Sequence, residues 1–304
     1  MGLEIADDAA VYSVAPDTAI VQTVDFFPPI VDDAYASGQI GAANAMSDVY
    51  AMGGEVLFAL NIAAWPEDVP IETLEELFAG AVDKVREAGG VVAGGHTVID
   101  REPKFGQSVT GRVDPRLMLL KQNLRVGDEL WLTKPIGTGI LTTAHKRQVI
   151  TPEDLASVIA SMVALNRGAA QAAVAAGLHA GTDVTGFGLA GHAHEMADRS
   201  GVQVRIEASA VPLLPGARTH AEAGIDFGGM QRNREHFIDK GLVRVDGLDE
   251  ATILLMIDPQ TSGGLLLGVP PAHREAFEGE CASRGVIAWR IGEAVEGHGV
   301  VMIA

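Results

Sequence analysis

Apolar residues recur along this chain in two rhythms, short alternating or continuous runs and three-to-four spacing, and the switches between them mark the elements. Near the N-terminus the runs at residues 9–14 and 18–24 predict two strands. Asp8 opens the first and Asp25 closes the second, after which Phe26-Phe27-Pro28-Pro29 breaks the ladder, since proline has no N–H to give. A helix of small residues is predicted over about 36–52, stopping at Gly53-Gly54. Within it Asn44 and Asp48 are four apart and so share a face. The continuous run 56–64 predicts a strand. Leu74, Leu77, Phe78, Ala81, Val82 and Val85 sit at helical spacing across 71–88, which ends at Gly89-Gly90. Residues 91–93 form a strand that delivers Gly94-Gly95-His96-Thr97, and 107–113 and 129–133 read as further strands.

A break falls near 147–151, where Thr151-Pro152-Glu153-Asp154 supplies an N-cap, a proline at the first helical position and acids in the first turn. One long helix is predicted from there to about 176. Then come the turn Thr182-Asp183-Val184-Thr185-Gly186-Phe187-Gly188, a helix over 189–199 and a strand over 202–206. A loop-rich region spans 212–241, and a strand is expected at 252–257. Asp258-Pro259-Gln260-Thr261-Ser262-Gly263-Gly264 turns into a strand at 265–269. A helix over 271–284 and strands at 287–291 and 300–303 complete the chain. The organisation is two domains, 1–148 and 149–304, which a chain of 304 residues can accommodate.

Composition narrows the partners. With 47% hydrophobic and 20% charged residues the chain can bury a sizeable core. The net charge of -18, from 22 basic and 40 acidic residues, argues against nucleic acid or an anionic membrane as partner. No apolar run is long enough to cross a bilayer, and the N-terminus lacks a basic-then-apolar signal. The single cysteine, Cys281, rules out an intrachain disulfide and fits a reducing cytoplasm.

Candidate chemistry gathers in the first fifty residues. Bare carboxylates about 4 Å apart repel by roughly 4 kcal/mol at an effective dielectric near 20, so converging acids take up protons or bind cations. Asp8, Asp25 and Asp48 therefore suggest a hard cation with bound phosphate, Mg²⁺ being the usual ion; ordinary turn and cap aspartates are the alternative. Gly94-Gly95 would let backbone N–H groups approach a phosphate, or else form a tight turn that needs positive φ. The stretch Lys134 to Gly139 is not a Walker A loop, and no G-x-G-x-x-G occurs.

In order, the chain carries D-D-A-A-V-Y, T-V-D-F-F-P-P-I-V-D-D, N-A-M-S-D-V-Y-A-M-G-G, A-G-G-H-T, L-T-K-P-I-G-T-G, T-D-V-T-G-F-G-L-A-G-H and D-P-Q-T-S-G-G-L. Over essentially its whole length it resembles the selenophosphate synthetases (selenide, water dikinases), within the superfamily of aminoimidazole ribonucleotide synthetase. The resemblance implies an N-terminal α+β domain that binds ATP and metal and pairs its strands across a homodimer, followed by a C-terminal α/β domain. It implies a cytoplasmic enzyme that converts ATP, selenide and water into selenophosphate, AMP and phosphate, with Mg²⁺ between the ATP phosphates and aspartates. Carried over by position, Asp8, Asp48 and Asp183 are metal ligands. Asp25, Asp48, Gly95, His96, Thr97 and the segment Ile5, Ala6, Asp7 are nucleotide contacts.

The family also has a cysteine or selenocysteine and a lysine in a Gly-rich segment ahead of the first aspartates, and no residue of this sequence takes those roles. Cys281 lies in the wrong part of the chain. The expectation is a start set downstream of the natural one, as when an in-frame UGA for selenocysteine is read as a stop; sequencing upstream of the Met1 codon tests this. A nucleotide-binding homologue that makes no selenophosphate is the alternative.

Overall fold

The computed structural model describes residues 6–304. Its first seven elements are β1 (Ala10–Ala15), β2 (Thr18–Phe27), α1 (Ala34–Ala51), β3 (Glu55–Trp65), α2 (Ile71–Glu87), β4 (Val91–Ile99) and β5 (Lys104–Val113). They build one sheet in the order β1-β2-β5-β3-β4, antiparallel except for the β3–β4 pair. Asp33 starts α1 by accepting from the N–H of Ala36 at 2.6 Å. The small residues of α1 have a reason in packing. A Cβ on Gly38 would stand 1.8 Å from the carbonyl oxygen of Leu77, and one on Gly80 would stand 2.0 Å from that of Tyr35, so α1 and α2 touch backbone to backbone.

Two expectations change in this sheet. Asp25 does not close β2, which stays paired with β5 as far as Phe27 before the prolines end it. Gly94-Gly95-His96-Thr97 is neither loop nor tight turn, because β4 runs straight through it. The ladder slips by one residue at Ala93, with Ala59 opposite Val92 and Leu60 opposite Gly94, and Gly94 takes φ +142° at that bulge.

Side-chain parity gives the sheet two unlike faces. Ala19, Val21, Thr23 and Asp25 point to the helices, whereas Val24 and Phe26 point away and are 58% and 50% exposed. Tyr12, opposite the outward-facing Ile20, and Leu60, on the row of Val24 through Ser108, are exposed on the same side.

A second sheet is built from β6 (Glu129–Leu132), β7 (Ala180–Asp183), β8 (Gln203–Glu207), β9 (Val243–Asp246), β10 (Leu265–Val269), β11 (Trp289–Val295) and β12 (Gly299–Ile303), in the order β7-β10-β6-β11-β8-β12-β9. Its helices are α3 (Thr138–Lys146), α4 (Pro152–Val163), α5 (Arg167–Ala175), α6 (Gly188–Ser200), α7 (Ala217–Glu222), α8 (Gly228–Asn233), α9 (Glu250–Met256) and α10 (Arg274–Ser283).

The backbone divides into two units, Met1–Met118 with Met162–Arg167, and Leu119–Ser161 with Gly168–Ala304. The position 148/149 thus lies inside the second unit, because β6 hydrogen-bonds to β10 and β11 and belongs to that sheet. The single helix expected over 152–176 is two, with a 49° bend between them. At the break the buried Asn166 donates from Nδ2 to Ser47 Oγ at 2.9 Å, a distant partner that local spacing does not reveal. The run 252–257 is helical rather than extended. Asp249 caps it by accepting from Thr252 N at 2.8 Å, and six apolar residues suit a buried helix turn as well as a strand. The loop-rich stretch 212–241 holds α7, α8 and a π-helical turn, Arg234–Ile238. No single described helix is long and apolar enough to cross a membrane.

Candidate functional site

The site is built where α1 crosses β2. Thr23 and Asp25 are two apart on the helix-facing side of the strand, and Asn44 and Asp48 are one turn apart on the helix, so the two pairs meet. Asn44 Nδ2 donates to Asp25 Oδ2, and Thr23 Oγ1 donates to Asp48 Oδ2. Both are hydrogen bonds to a carboxylate, the stronger class. Burial pushes the Asp25 carboxyl above its ordinary range, opposed by the bonds from Asn44 and from the Phe26 N–H. A half-buried acid that Asn44 and the Phe26 N–H only partly satisfy is poised to accept a further donor or a cation.

Asp8 approaches the same end of α1. One of its carboxylate oxygens and one of Asp48's lie within 4.8 Å of each other. Asp7 accepts from the Asp8 N–H at 2.9 Å, fixing the turn that presents Asp8. Ala6 and Asp7 are half-buried beside it, and Ile5 lies outside the described residues. Two oxygens on one Mg²⁺ stand at most about 4.2 Å apart, since each bond is about 2.1 Å. Sub-ångström closure therefore lets Asp8 and Asp48 share an ion, and an all-oxygen donor set suits a hard cation. The residues present fit Mg²⁺.

Gly95, His96 and Thr97 are not beside these acids. Register sets Asp25 opposite Gln107, Gln107 opposite Asn61 and Asn61 opposite Gly95, so one row crosses the sheet. Three strand spacings put Gly95 about 14 Å from Asp25. Gln107 Nε2 donates to Asn61 Oδ1 at 2.9 Å, while Gln107 Oε1, fully buried, has no hydrogen-bond partner among the described residues. These row residues escaped the sequence reading, because a buried amide on a strand leaves no local mark.

A groove of about 550 Å³ follows the exposed side of β4, lined by Asn61, Phe78, Arg86, Gly95 and Thr97 among others. Gly95 is required there, since a Cβ would stand 2.2 Å from the Asn61 carbonyl oxygen. Gly95→Ala is expected to part β4 from β3 and to destabilise the protein by about 1–3 kcal/mol. Urea unfolding measures it, and an unchanged midpoint would show that β4 yields freely.

In the second unit Asp183 ends β7 opposite Leu265 and is buried, with the next residue's N–H bonded to Gly264 O at 2.9 Å. The residues after it enter a polar chain missed from sequence. Thr185 Oγ1 lies 3.3 Å from His192 Nε2, His192 Nδ1 lies 3.1 Å from Glu195 Oε2, and Lys121 Nζ lies 3.5 Å from the same carboxylate. Burial raises the Glu195 carboxyl, but His192 and Lys121 more than offset it and hold it down at about 2.

The D-P-Q-T-S-G-G turn clamps the start of α3. Gln260 Oε1 accepts from the N–H groups of Gly137 and Thr138 at 3.0 and 3.1 Å. Asp258 Oδ2 accepts from Gly139 N at 3.1 Å and from Gln260 Nε2 at 2.8 Å. Asp258 is wholly buried, and burial pushes its carboxyl up to about 8 against those bonds.

Known proteins share the sequence and the fold of this chain. Family models described as AIR synthase related protein, N-terminal and C-terminal domain, match residues 6–113 and 125–304. A selenide, water dikinase of Caldanaerobacter subterraneus subsp. tengcongensis is 48% identical over 275 residues, 90% of this chain and 79% of the relative. Another from Pelobacter propionicus is 47% identical over 301 residues, 97% of this chain and 85% of the relative. Among solved structures, the hydrogenase maturation protein HypE in complex with ATP superposes at a TM-score of 0.73 with 19% identity, covering 99% of this chain and 86% of that one. AaThiL complexed with AMPPCP and TMP gives 0.73 with 18% identity, covering 97% and 87%. At these identities the two structures establish a shared fold.

Proposed function

Because the chain belongs to the AIR synthase related family, in its selenide, water dikinase branch, we infer that it is a phosphotransferase making selenophosphate from selenide, ATP and water, with AMP and phosphate as co-products. What carries the reading to particular residues is the convergence of Asp8 and Asp48 beside the Asn44–Asp25 pair. In this reading Asp8 and Asp48 hold Mg²⁺, and the family resemblance adds Asp183 to the ligands. The ion, when bound, neutralises phosphate charge. Thr23 keeps Asp48 turned for that task, and Asn44 does the same for Asp25 on the nucleotide side. Ala6, Asp7, Gly95, His96 and Thr97 are further nucleotide contacts, as is Ile5. A single cysteine is consistent with work in a reducing cytoplasm.

The test is AMP formation from MgATP with and without selenide, with ³¹P spectra of the products, on the 304-residue chain and on an N-terminally extended form. Selenide-dependent AMP and selenophosphate are expected. ATP binding with no selenide-dependent turnover in either form would favour the binding-only homologue, which relatives 44–48% identical do not favour.

The reading includes a homodimer. The outward sheet face carries exposed Tyr12, Val24, Phe26 and Leu60, and β1 leaves an open edge; apolar patches and open edges of this kind are normally covered. Light scattering at micromolar concentration is expected to return twice the 31.8 kDa chain mass. A well-folded monomer would overturn this part.

A further inference from the structure

The second unit holds a cleft of about 900 Å³, lined by α6 and by the helical segment from α8 onward, that takes no part in the reaction proposed above. Its floor is aromatic. The Phe237 ring meets those of Phe187, His194 and His236 edge-on, with centroids 5.8, 5.9 and 4.8 Å apart. Phe187, the phenylalanine of T-D-V-T-G-F-G, is 49% exposed over this floor, although a ring of that size usually gains by burial. Phe237 belongs to the π-helical turn Arg234–Ile238, a rare geometry that recurs at functional sites.

The rim is charged and unsatisfied. Most arginines in this acidic chain have a carboxylate partner, as Arg218, Arg234, Arg274 and Arg290 do. Arg199 and Arg232 both line the cleft, and among the described residues neither makes an ion pair or a hydrogen bond. Asp198 and Glu235 line it too, and neither is paired with these arginines. Glu195, the remaining acid, is already engaged by His192 and Lys121. Both guanidinium groups are therefore open to an external anion. Cations and acids around an aromatic floor match a ligand that carries a flat ring, hydroxyl or amino donors and one compact anion.

We propose that this cleft binds a nucleoside monophosphate. The base lies on the exposed Phe187 ring, which the buried Phe237 backs, the phosphate meets the guanidinium forks of Arg199 and Arg232, and the sugar hydroxyls or the exocyclic amine donate to Asp198 and Glu235. Guanidinium forks suit a phosphate, aromatic faces suit any base, and the volume falls within the usual span of small-molecule pockets.

AMP is the probe, measured by calorimetry in EDTA so that no metal assists. Saturable binding of one AMP per chain is expected, with adenosine and inorganic phosphate each at least about tenfold weaker. The Arg199→Ala/Arg232→Ala variant should weaken AMP about tenfold or more with its melting temperature unchanged. Phe187→Leu, which keeps the bulk and removes the ring, should weaken AMP and adenosine alike. Asp48→Asn should bind AMP as the wild type does. No binding at millimolar AMP overturns the proposal, as does binding indifferent to the arginines and to Phe187. AMP binding that is lost in Asp48→Asn and kept in the arginine variant would belong to the acid cluster; it would sink this proposal and leave the reading of that cluster standing.

Discussion

Replacing Asp48 by asparagine is expected to abolish the rise in melting temperature produced by MgATP and to cut selenide-dependent AMP formation by about 10²–10³-fold, the scale of losing one preorganised electrostatic contact. The change preserves shape. The Thr23 hydroxyl, which now donates to Asp48 Oδ2, still finds an amide oxygen in asparagine, so α1 and β2 keep their join. What changes is one charge, within 4.8 Å of an Asp8 oxygen. Without metal, two carboxylates at about 4 Å oppose each other by roughly 4 kcal/mol at an effective dielectric near 20, an upper scale for partly exposed groups. The apo variant should therefore melt no lower than the wild type, and possession of one carboxylate fewer should raise its stability. With MgATP the order reverses, because ligand at 100 times its Kd stabilises by about 2.7 kcal/mol and only the wild type gains this. Melting curves with and without MgATP separate the two effects. A variant that keeps the full MgATP-induced rise would show that Asp48 is not a ligand and that the acids serve only as turn and cap residues.

Asp258 should dominate the pH dependence of stability. Its carboxyl is pushed up to about 8 by burial, against the bonds from Gln260 and from the Gly139 and Ile140 N–H groups. Below the ordinary carboxylate range both folded and unfolded chains carry the proton, and the group is neutral in the balance. Between about 4 and about 8 the unfolded chain has released the proton and the folded chain has kept it. The folded state then binds more protons, so stability falls by about 1.4 kcal/mol for each unit of rising pH. Above about 8 both states are ionised and the full penalty is present. Asp258→Asn keeps an acceptor for Gly139 N and cannot ionise. It is expected to match the wild type near pH 4 and to exceed it increasingly toward pH 8 in urea unfolding. At pH 4, where the buried carboxyl is protonated, Asp258→Ala strips the acceptor from Gly139 N and from Gln260 Nε2 and should lose about 1–3 kcal/mol. Parallel wild-type and Asp258→Asn curves from pH 4 to 8 would show that the carboxyl is ionised when buried.

Several parts of the site were legible from residue order. The four-residue step from Asn44 to Asp48 places both on one helix face in any helix, and that face is the one that meets β2. The small residues of α1 were visible in the sequence, but the partner they admit, the backbone of α2, appears only in the fold. Thr23 carried no such sign. Its hydroxyl reaches Asp48 across 25 residues only because of where the helix lies on the strand. The row from Asp25 through Gln107 and Asn61 to Gly95 depends on register across four strands, including the slip at Ala93. Gly94-Gly95 was legible as a place of close approach but not as strand, since the partner backbone that demands glycine is Asn61, more than thirty residues away.

The sequence by itself therefore determined what local physics decides: hydrophobic period, caps, proline and glycine breaks, and that Asn44 and Asp48 share a helix face. It also carried the ordered motifs that assign the family. The tertiary structure decided the helix break at Asn166, whose amide is taken by Ser47, and the helical state of the run 252–257, whose six apolar residues fit either period until Asp249 caps them. It alone brought Asp8 within reach of Asp48, turned Asp258 into a buried acid and set Arg199 and Arg232 in one cleft with no carboxylate paired to either among the described residues. Those outcomes depend on contacts between residues far apart in the chain, whose energies no local window contains.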